Sequence, residues 1–138
     1  MKKQTITPTR SITAEIEALL NKQIIMEGKS SAAYLSMASW CDTQGYNVSS
    51  EFLYKHSEEE RVHMLKLFRY VNAAGGHAQQ PEITGIKHTF KSLREVFENV
   101  LDHELEVTKS INSIVDSCFQ IKDFATFNFL QWYVMEQR

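Results

Sequence analysis

The sequence predicts an all-α protein, a four-helix bundle with one long crossover. Three observations predict this fold class. Four segments repeat apolar residues at helical spacing, only two prolines and five glycines interrupt the 138 residues, and one connection is much longer than the other two. With 43% hydrophobic and 23% charged residues, the composition is that of an ordinary globular protein and not of a disordered one. We therefore expect a single domain over residues 1–138.

The first helix is predicted from about Ala14 to Asp42, after an N-terminal extension of residues 1–11. It contains no proline, and its apolar positions recur at helical spacing. These inward positions are Ile16, Leu20, Ile24, Tyr34, Ala38 and Cys41. A break follows at Gly45, and Asn47 or Ser49 can cap the next helix. Because this connection is short, the first two helices are expected to be antiparallel neighbours.

The second helix is predicted to run to about Ala74. Residues on one of its faces are Phe52, His56, Leu67 and Tyr70. Residues 75–91 then show no helical repeat of apolar residues. They contain a Gly-Gly pair, Pro81 and Gly85, which indicates a loop. At roughly 3.3 Å per residue, about 17 residues can reach some 55 Å, more than the ~42 Å of a 28-residue helix. We expect this loop to cross the full length of the bundle, which makes the second and third helices parallel.

The third helix opens on a capping-box pattern, with Ser92 as N-cap and Glu95 three residues later. It is predicted to extend to about Phe119. A short break near residues 120–123 precedes a fourth helix that runs from Phe124 to the end of the sequence. The short connection makes the third and fourth helices antiparallel.

Charge and cysteine content exclude several function classes. The chain carries 15 Lys+Arg against 17 Asp+Glu, so nothing in its charge favours nucleic acid or anionic lipid as a partner. No apolar run approaches the roughly 18 residues of a membrane span, and the start of the chain lacks the apolar core of a signal peptide. The two cysteines, Cys41 and Cys118, indicate reduced thiols in a cytoplasmic protein.

The strongest functional signal is a glutamate on the apolar stripe of the third helix. The stripe alternates steps of four and three through Leu93, Phe97, Val100, Glu104, Val107, Ile111, Ile114 and Cys118. Glu104 is its only charged member. Glu27, Glu60 and Glu136 lie, like Glu104, about 12 or 13 residues from the start of their own helices, so the four carboxylates can converge at one level. His63 shares the face of Glu60.

Carboxylates gathered in an apolar interior need compensating charge. Burying even one unpaired carboxylate costs several kcal/mol. Arg61 and Lys66 point elsewhere by helical phase, and no Lys or Arg lies on the inward stripes at that level, so the cations must come from outside. Oxygen ligands with one imidazole suit iron or manganese better than zinc. Glu60 and His63, three residues apart, can hold one ion together, with Glu60 bridging to a second.

At these residues the sequence resembles the bacterial non-haem ferritins. The matching segments are residues 26–34 around Glu27, 56–64 with its Glu-x-x-His, 102–104 around Glu104, and 126–137. The resemblance covers nearly the whole chain after the N-terminal extension. It implies an iron-storage protein that oxidises Fe(II) to Fe(III) with dioxygen or peroxide at a di-iron centre. The ferric product would be stored as mineral in a 24-subunit cage.

The resemblance also implies roles for individual residues. Glu27, Glu60 and His63 would hold the first iron, with Glu60 bridging to the second. Glu104 would hold the second iron, with Gln137 alongside.

Three further residues match the family near this centre. Glu59 and Glu136 match residues that contribute to a third iron position, although Glu59 taken alone reads as a solvated neighbour. Tyr34 matches a tyrosine that donates an electron during oxygen reduction, and plain core packing is its alternative. His56, one turn before Glu60, reads either as an outer partner of the centre or, more commonly for such a residue, as a core histidine.

The sequence departs from the family at its C-terminal end. The family continues the fourth helix past Gln137, supplies a further glutamate ligand three residues later, and adds a short fifth helix. This sequence stops at Arg138. We therefore expect an incomplete fourth helix, in a truncated chain or in one whose apolar groove another copy fills. The second iron position is then one ligand short, which puts full ferroxidase activity in doubt.

Three alternatives remain at this stage. Bacterioferritin carries a haem-ligating methionine directly after the bridging glutamate, and Arg61 stands at that place here, so no haem is expected. DNA-protecting mini-ferritins place their ligands across subunit contacts, which the inward Glu104 argues against. The third alternative is a ferritin-like structural or assembly chain with an incomplete, inactive metal centre.

Overall fold

A computed structural model describes residues 10–137, which form four α-helices and, within that range, no strand. The helices are α1 (Ala14–Thr43), α2 (Asn47–Ala73), α3 (Leu93–Gln120) and α4 (Phe124–Glu136). The predicted all-α bundle is confirmed, and the helix boundaries agree with the predicted ones to within three residues. Residues 1–9 of the predicted extension, and Arg138, lie outside the described residues.

Side chains cap three of the four helix N-termini. The Thr13 hydroxyl accepts a hydrogen bond from the Ile16 N–H at the start of α1. Asp123 does the same for α4, and Ser92 caps α3 as predicted. The expected cap of α2 is wrong, because that helix begins at Asn47 itself and has no side-chain cap bond.

Three helices end in the same hydrogen-bonded turn. In α1 the N–H of Tyr46 donates to the Cys41 carbonyl (2.9 Å), and Gly45 between them adopts φ +81°. The corresponding turns after α2 and α3 place Gly75 and Lys122 at positive φ. A left-handed residue at this point satisfies the last helical carbonyls and reverses the chain within about three residues.

Contacts between helices fix the directions of the bundle. On α1 and α3, the Ser110 hydroxyl donates to Gln23, while further along α1 the Tyr34 hydroxyl donates to Glu104. Residue numbers therefore rise along α1 as they fall along α3, so these helices are antiparallel. Since the short turn after α1 makes α2 antiparallel to α1 as well, α2 and α3 run parallel, as the long crossover predicts.

The crossover segment lies lengthwise against α1. Near its beginning the Asn21 side-chain amide donates to the His77 carbonyl (3.0 Å), and near its end the Ser36 hydroxyl donates to the Lys87 carbonyl (2.5 Å). These contacts are about four turns of α1 apart. The segment thus carries the chain back along the bundle before α3 begins.

Two apolar clusters fill the bundle, one on each side of a polar layer. One cluster includes Ile16, Leu20, Ile24, Leu67, Val71, Ile111, Ile114, Cys118 and Leu130. The other includes Tyr34, Met37, Ala38, Cys41, Leu53, Val96 and Val100. All six inward positions predicted on α1 are fully buried, and both cysteines are buried free thiols.

Two aromatic residues predicted on inward faces are not buried. Phe52 is 50% exposed and Phe97 is 37% exposed, and their ring centroids lie 6.2 Å apart. The helical period places both correctly toward the space between α2 and α3. However, α4 ends at Glu136, and no segment within residues 10–137 covers the two rings.

Within residues 10–137, none of the helices has both the length and the apolar character that a membrane span requires.

Candidate metal centre

The polar layer contains a first set of ligating side chains, the inner group, made of Glu27, Glu60 and His63. Glu27 lies on α1, and the other two lie one helical turn apart on α2. All three are buried, with Glu27 fully inaccessible and Glu60 only 2% exposed. Each offers one ligating atom, and these atoms all lie within 4.8 Å of one another. The inner group can therefore hold one metal ion.

Among residues 10–137, the atoms of the inner group that face one another have no hydrogen-bond partner. They are Glu27 Oε2, Glu60 Oε2 and His63 Nδ1, all buried. The opposite oxygen of Glu27 is fixed, because Gln23 Nε2 donates to it at 2.9 Å and the Ser110 hydroxyl in turn donates to Gln23 (2.5 Å). Buried polar atoms are almost always hydrogen-bonded in folded proteins. Three unpartnered atoms turned toward one point therefore indicate a site for a ligand.

The imidazole of His63 is oriented through its outer nitrogen. Its Nε2 donates to Glu136 at 2.5 Å, while Nδ1 lies 3.5 Å from Glu60 Oε2 and 3.9 Å from Glu27 Oε2. The rings of Trp132 and Tyr133 pack against the imidazole, with centroids 5.4 and 5.1 Å away. A carboxylate on the far nitrogen fixes the tautomer of a metal-binding histidine and raises its basicity.

Burial controls the charge of the inner group. Burial, together with the neighbouring Glu60 carboxylate, raises the pKa of Glu27 to about 10, so Glu27 holds a proton at neutral pH. Burial also opposes ionisation of Glu60, but the nearby His63 imidazole and Glu27 carboxyl outweigh it and lower the pKa of Glu60. Burial disfavours protonated His63, yet the nearby Glu60 carboxylate and the hydrogen bond to Glu136 raise its pKa. In the metal-free protein the proton on Glu27 thus reduces the negative charge that Glu27 and Glu60 would otherwise share.

A second set of side chains, the outer group, shares Glu60 and adds His56 and Glu104. Their ligating atoms also lie within 4.8 Å of one another. His56 Nε2 and the Tyr34 hydroxyl both donate to Glu104 Oε1, each at 2.8 Å. Glu104 and His56 keep 29% and 22% of their side-chain surface exposed, so the outer group is more open than the inner one.

The outer group is ionised differently. Burial would raise the pKa of Glu104, but the hydrogen bonds from His56 and Tyr34 outweigh it and lower the pKa. The hydrogen bond to Glu104 raises the pKa of His56. Burial and the bond to Glu104 raise the pKa of Tyr34, so the phenol stays protonated. Glu104 is therefore a carboxylate that hydrogen bonds from the protein itself already stabilise.

The remaining predicted site residues lie at the edge of the centre. Gln137 Nε2 contacts Glu104 Oε2 (3.4 Å) and the Thr108 hydroxyl (3.2 Å). Glu59 and Glu136 have about half of their side-chain surface exposed. Among the described residues neither belongs to a group of three mutually close ligating side chains. The cleft of about 400 Å³ above the outer group reaches Gln137, Glu59 and Glu136 and opens the centre to solvent.

His56 lies closer to the centre than the sequence predicts, and Gln23 and Ser110 are not among the predicted site residues. His56 lies four residues before Glu60, and Gln23 lies four residues before Glu27, so helical spacing alone could have flagged both. Nothing in the sequence indicates Ser110, because it meets Gln23 only through the packing of α3 on α1.

The donor set defines the class of protein. Carboxylate oxygens with one or two imidazoles, and no thiolate within reach, suit hard or borderline ions such as iron and manganese. Glu60 belongs to both groups, so one carboxylate can bridge two ions. A bundle with this layer at mid-height has the arrangement of side chains found in carboxylate-bridged metal-binding proteins.

Comparison with known proteins gives the family. The ferritin-like domain family matches residues 17–138, and the chain belongs to the ferritin family. Membership supports a role in iron storage in general. A probable bacterial non-heme ferritin-like protein from Haemophilus influenzae is 44% identical over 91% of this chain and 76% of its own. The bacterial non-heme ferritin of Campylobacter jejuni is 43% identical over 91% of this chain and 75% of its own.

Solved structures agree with this assignment. A ferritin from Chlorobium tepidum superposes with a TM-score of 0.88 at 41% identity, over 91% of this chain and 77% of that one. An open pore ferritin from Archaeoglobus fulgidus gives a TM-score of 0.88 at 40% identity, over 92% of this chain and 77% of that one. The predicted resemblance to non-haem ferritins is confirmed at the level of family and fold.

Proposed function

We propose that this protein oxidises Fe(II) to Fe(III) with dioxygen or peroxide at a di-iron centre and stores the ferric product. The observation that carries the proposal is the convergence of Glu27, Glu60 and His63 on one point with three unpartnered buried atoms. Iron is the substrate here, and it enters a site whose charge and geometry exist before it binds.

The first Fe(II) binds the inner group. Its entry displaces the proton of Glu27, after which two carboxylates and the Nδ1 of His63 surround the ion. The hydrogen bonds from Gln23 to Glu27 and from His63 to Glu136 hold the ligands in place. A divalent cation offsets the desolvation free energy of two buried carboxylates far better than a single proton does.

The second Fe(II) binds between Glu60 and Glu104, with the amide of Gln137 alongside. Two Fe(II) ions supply two electrons, so dioxygen takes up two electrons and two protons in one site without release of a one-electron radical. Anionic oxygen ligands favour Fe(III) over Fe(II) and so assist the oxidation. The open cleft above Glu104 lets oxygen in and ferric product out.

Tyr34 would supply a further electron to the oxygen species that the two irons reduce. Its hydroxyl donates a hydrogen bond to Glu104, so the proton released on oxidation of the phenol has an acceptor 2.8 Å away. Glu59 and Glu136, at the mouth of the centre, would hold iron in transit as a third position. Storage requires a shell, and we propose that the chain assembles as a homo-oligomer, the 24-subunit cage that the family resemblance implies.

Stopped-flow absorbance after mixing Fe(II) with oxygenated buffer tests the oxidation step. Glu60→Ala and Glu104→Ala are each expected to slow Fe(III) formation by more than about tenfold, because each removes a ligand. Glu58→Ala, an exposed glutamate on the same helix, is the matched control and should leave the rate unchanged. Unchanged rates in both ligand variants contradict the proposal. Light scattering measures the assembled mass.

A second candidate is a structural chain with an inactive centre. Glu104 favours it, since Tyr34, His56 and Gln137 satisfy this carboxylate without any ion. Elemental analysis after iron loading and gel filtration separates the two. Iron that stays with the protein supports oxidation and storage, and its complete absence, together with assembly into a shell, supports the structural role.

A further inference from the structure

We propose that His56 is a ligand of the second ion, so that each of the two ion positions carries one imidazole as well as the shared Glu60. This inference rests on the proposed function, because it assigns the second ion to the same centre. It differs from the reading of His56 as a packed histidine of the core.

The distances around His56 are those of donors that share an ion. Two donors at about 2.1 Å from one ion are about 3.0 Å apart at right angles and about 4.2 Å apart when opposite. His56 Nε2 lies 2.8 Å from Glu104 Oε1 and 3.8 Å from Glu60 Oε1. In the inner group His63 Nδ1 lies 3.5 and 3.9 Å from its two carboxylates. The outer group therefore needs little movement to close on an ion, which would replace the Nε2 proton that now bonds Glu104 and release it to solvent.

His56 also repeats the arrangement of His63. Each ring turns one nitrogen toward Glu60 and the other toward an exposed glutamate on the solvent side. For His63 that partner is Glu136, at 2.5 Å, and for His56 it is Glu59, whose carboxylate lies 3.5 Å from Nδ1. A carboxylate behind the far nitrogen is the usual support of a metal-bound imidazole.

Neighbouring rings hold the His56 imidazole at this angle. The ring of Phe52 stacks on it with an interplanar angle of 14° at 5.5 Å, and the ring of Tyr34 packs 4.9 Å away. Glu60, 2% exposed, turns Oε2 toward His63 in the inner group and Oε1 toward His56 in the outer group. The pair His56 and Glu104 thus faces the second oxygen of a buried carboxylate that both groups share.

Titration calorimetry with Zn(II), a redox-inactive probe, gives the first test. The wild-type protein is expected to bind two Zn(II) per chain, and His56→Ala one. His103→Ala is the matched control, because His103 also packs on Tyr34, at 5.7 Å, outside both groups. It should still bind two. Two Zn(II) bound with unchanged affinity by His56→Ala overturns the inference, as does a single Zn(II) bound by both wild type and His56→Ala.

A spectroscopic test distinguishes a ligand from a hydrogen-bond partner. In His63→Ala the other imidazole of the centre is gone, so pulsed EPR of one bound vanadyl ion should show coupling to a single imidazole nitrogen. The double variant His63→Ala/His56→Ala should show none. Vanadyl bound in His63→Ala without nitrogen coupling overturns the inference.

The conservative variant His56→Gln keeps a donor for Glu104 but removes the imidazole. Binding of only one Zn(II) supports ligation, whereas full recovery of two-ion binding reduces His56 to a positioning residue. A wild-type chain that binds no ion at all contradicts the proposed function itself, and this result is distinct from the loss of the second ion alone.

Discussion

The inner and outer groups share Glu60 but satisfy their polar atoms in opposite ways. In the inner group three buried atoms have no partner, and a proton on Glu27 takes the place of a cation. In the outer group Glu104 accepts hydrogen bonds from Tyr34 and His56 and is partly open to solvent.

This difference indicates that the two groups bind ions with different affinities. A buried polar atom without a partner lowers the stability of the folded protein by about 1–3 kcal/mol. An ion bound to the inner group removes this penalty. In the outer group an ion must displace existing hydrogen bonds and compete with water. We expect tight, early binding at the inner group and weaker, exchangeable binding at the outer group, which suits the proposed function because a ferric product would have to leave the centre.

The largest effect is expected from Glu60→Ala, because this side chain belongs to both groups. Removal of an outer partner of a ligand lowers metal affinity by about 10–100-fold. Loss of the shared ligand should lower Zn(II) affinity at both positions by more than this. Calorimetry measures the loss, with Glu58→Ala as control. Retention of one tight Zn(II) in Glu60→Ala shows that the two groups do not depend on a shared carboxylate.

Glu27→Gln is next, and it separates stability from binding. The folded metal-free protein keeps the Glu27 proton up to a pKa of about 10, whereas the ordinary value is 4.5. The folded state therefore binds more protons than the unfolded state between these values. Stability then falls as pH rises, by up to about 1.4 kcal/mol per pH unit. The raised pKa values of His56 and His63 add to this fall above pH ~6.5.

In Glu27→Gln the Glu27 part of this fall disappears. Urea unfolding of the metal-free variant should show a shallower loss of stability with pH and a more stable protein at pH 8, while Zn(II) binding weakens more than about tenfold. Calorimetry in buffers of different ionisation enthalpy should also show fewer protons released when Zn(II) binds. An unchanged pH slope contradicts the protonated state of Glu27.

Glu136→Gln and Glu59→Gln form a matched pair on the two imidazoles. Each replaces an exposed carboxylate behind a histidine by an uncharged amide. Glu136→Gln should weaken the first Zn(II) and Glu59→Gln the second, each by up to about tenfold because solvent screens both sites. The same ion weakened by both variants contradicts the division between the groups.

The smallest effect is expected from Tyr34→Phe. The ring still fills its buried place, and Glu104 keeps its bonds from His56 and Gln137, so unfolding stability should fall by about 1 kcal/mol. Urea unfolding measures this, and Zn(II) binding at the inner group should not change. Freeze-quench EPR during iron oxidation should show a tyrosyl radical in wild type that the variant lacks. The same radical in both proteins shows that Tyr34 is not the donor.

Much of the fold follows from local rules. The helical period places α1 to α4, the capping pattern at Ser92 starts α3 where expected, and the length of the crossover gives the parallel pair α2 and α3. The inward glutamates follow from the same period. Phe52 and Phe97 show its limit, since period tells which way a side chain points but not whether another segment covers it.

Within the site, the sequence by itself determined which helix faces carry Glu27, Glu60, His63 and Glu104 and that they share one level, because rise per residue and helical phase are properties of the backbone. Only the tertiary structure decided that His56 joins Glu104, that Gln23 is held by α3, and that Glu136 lies behind His63. Those contacts join side chains of different helices, and their distances depend on how the helices pack and which rotamers that packing leaves.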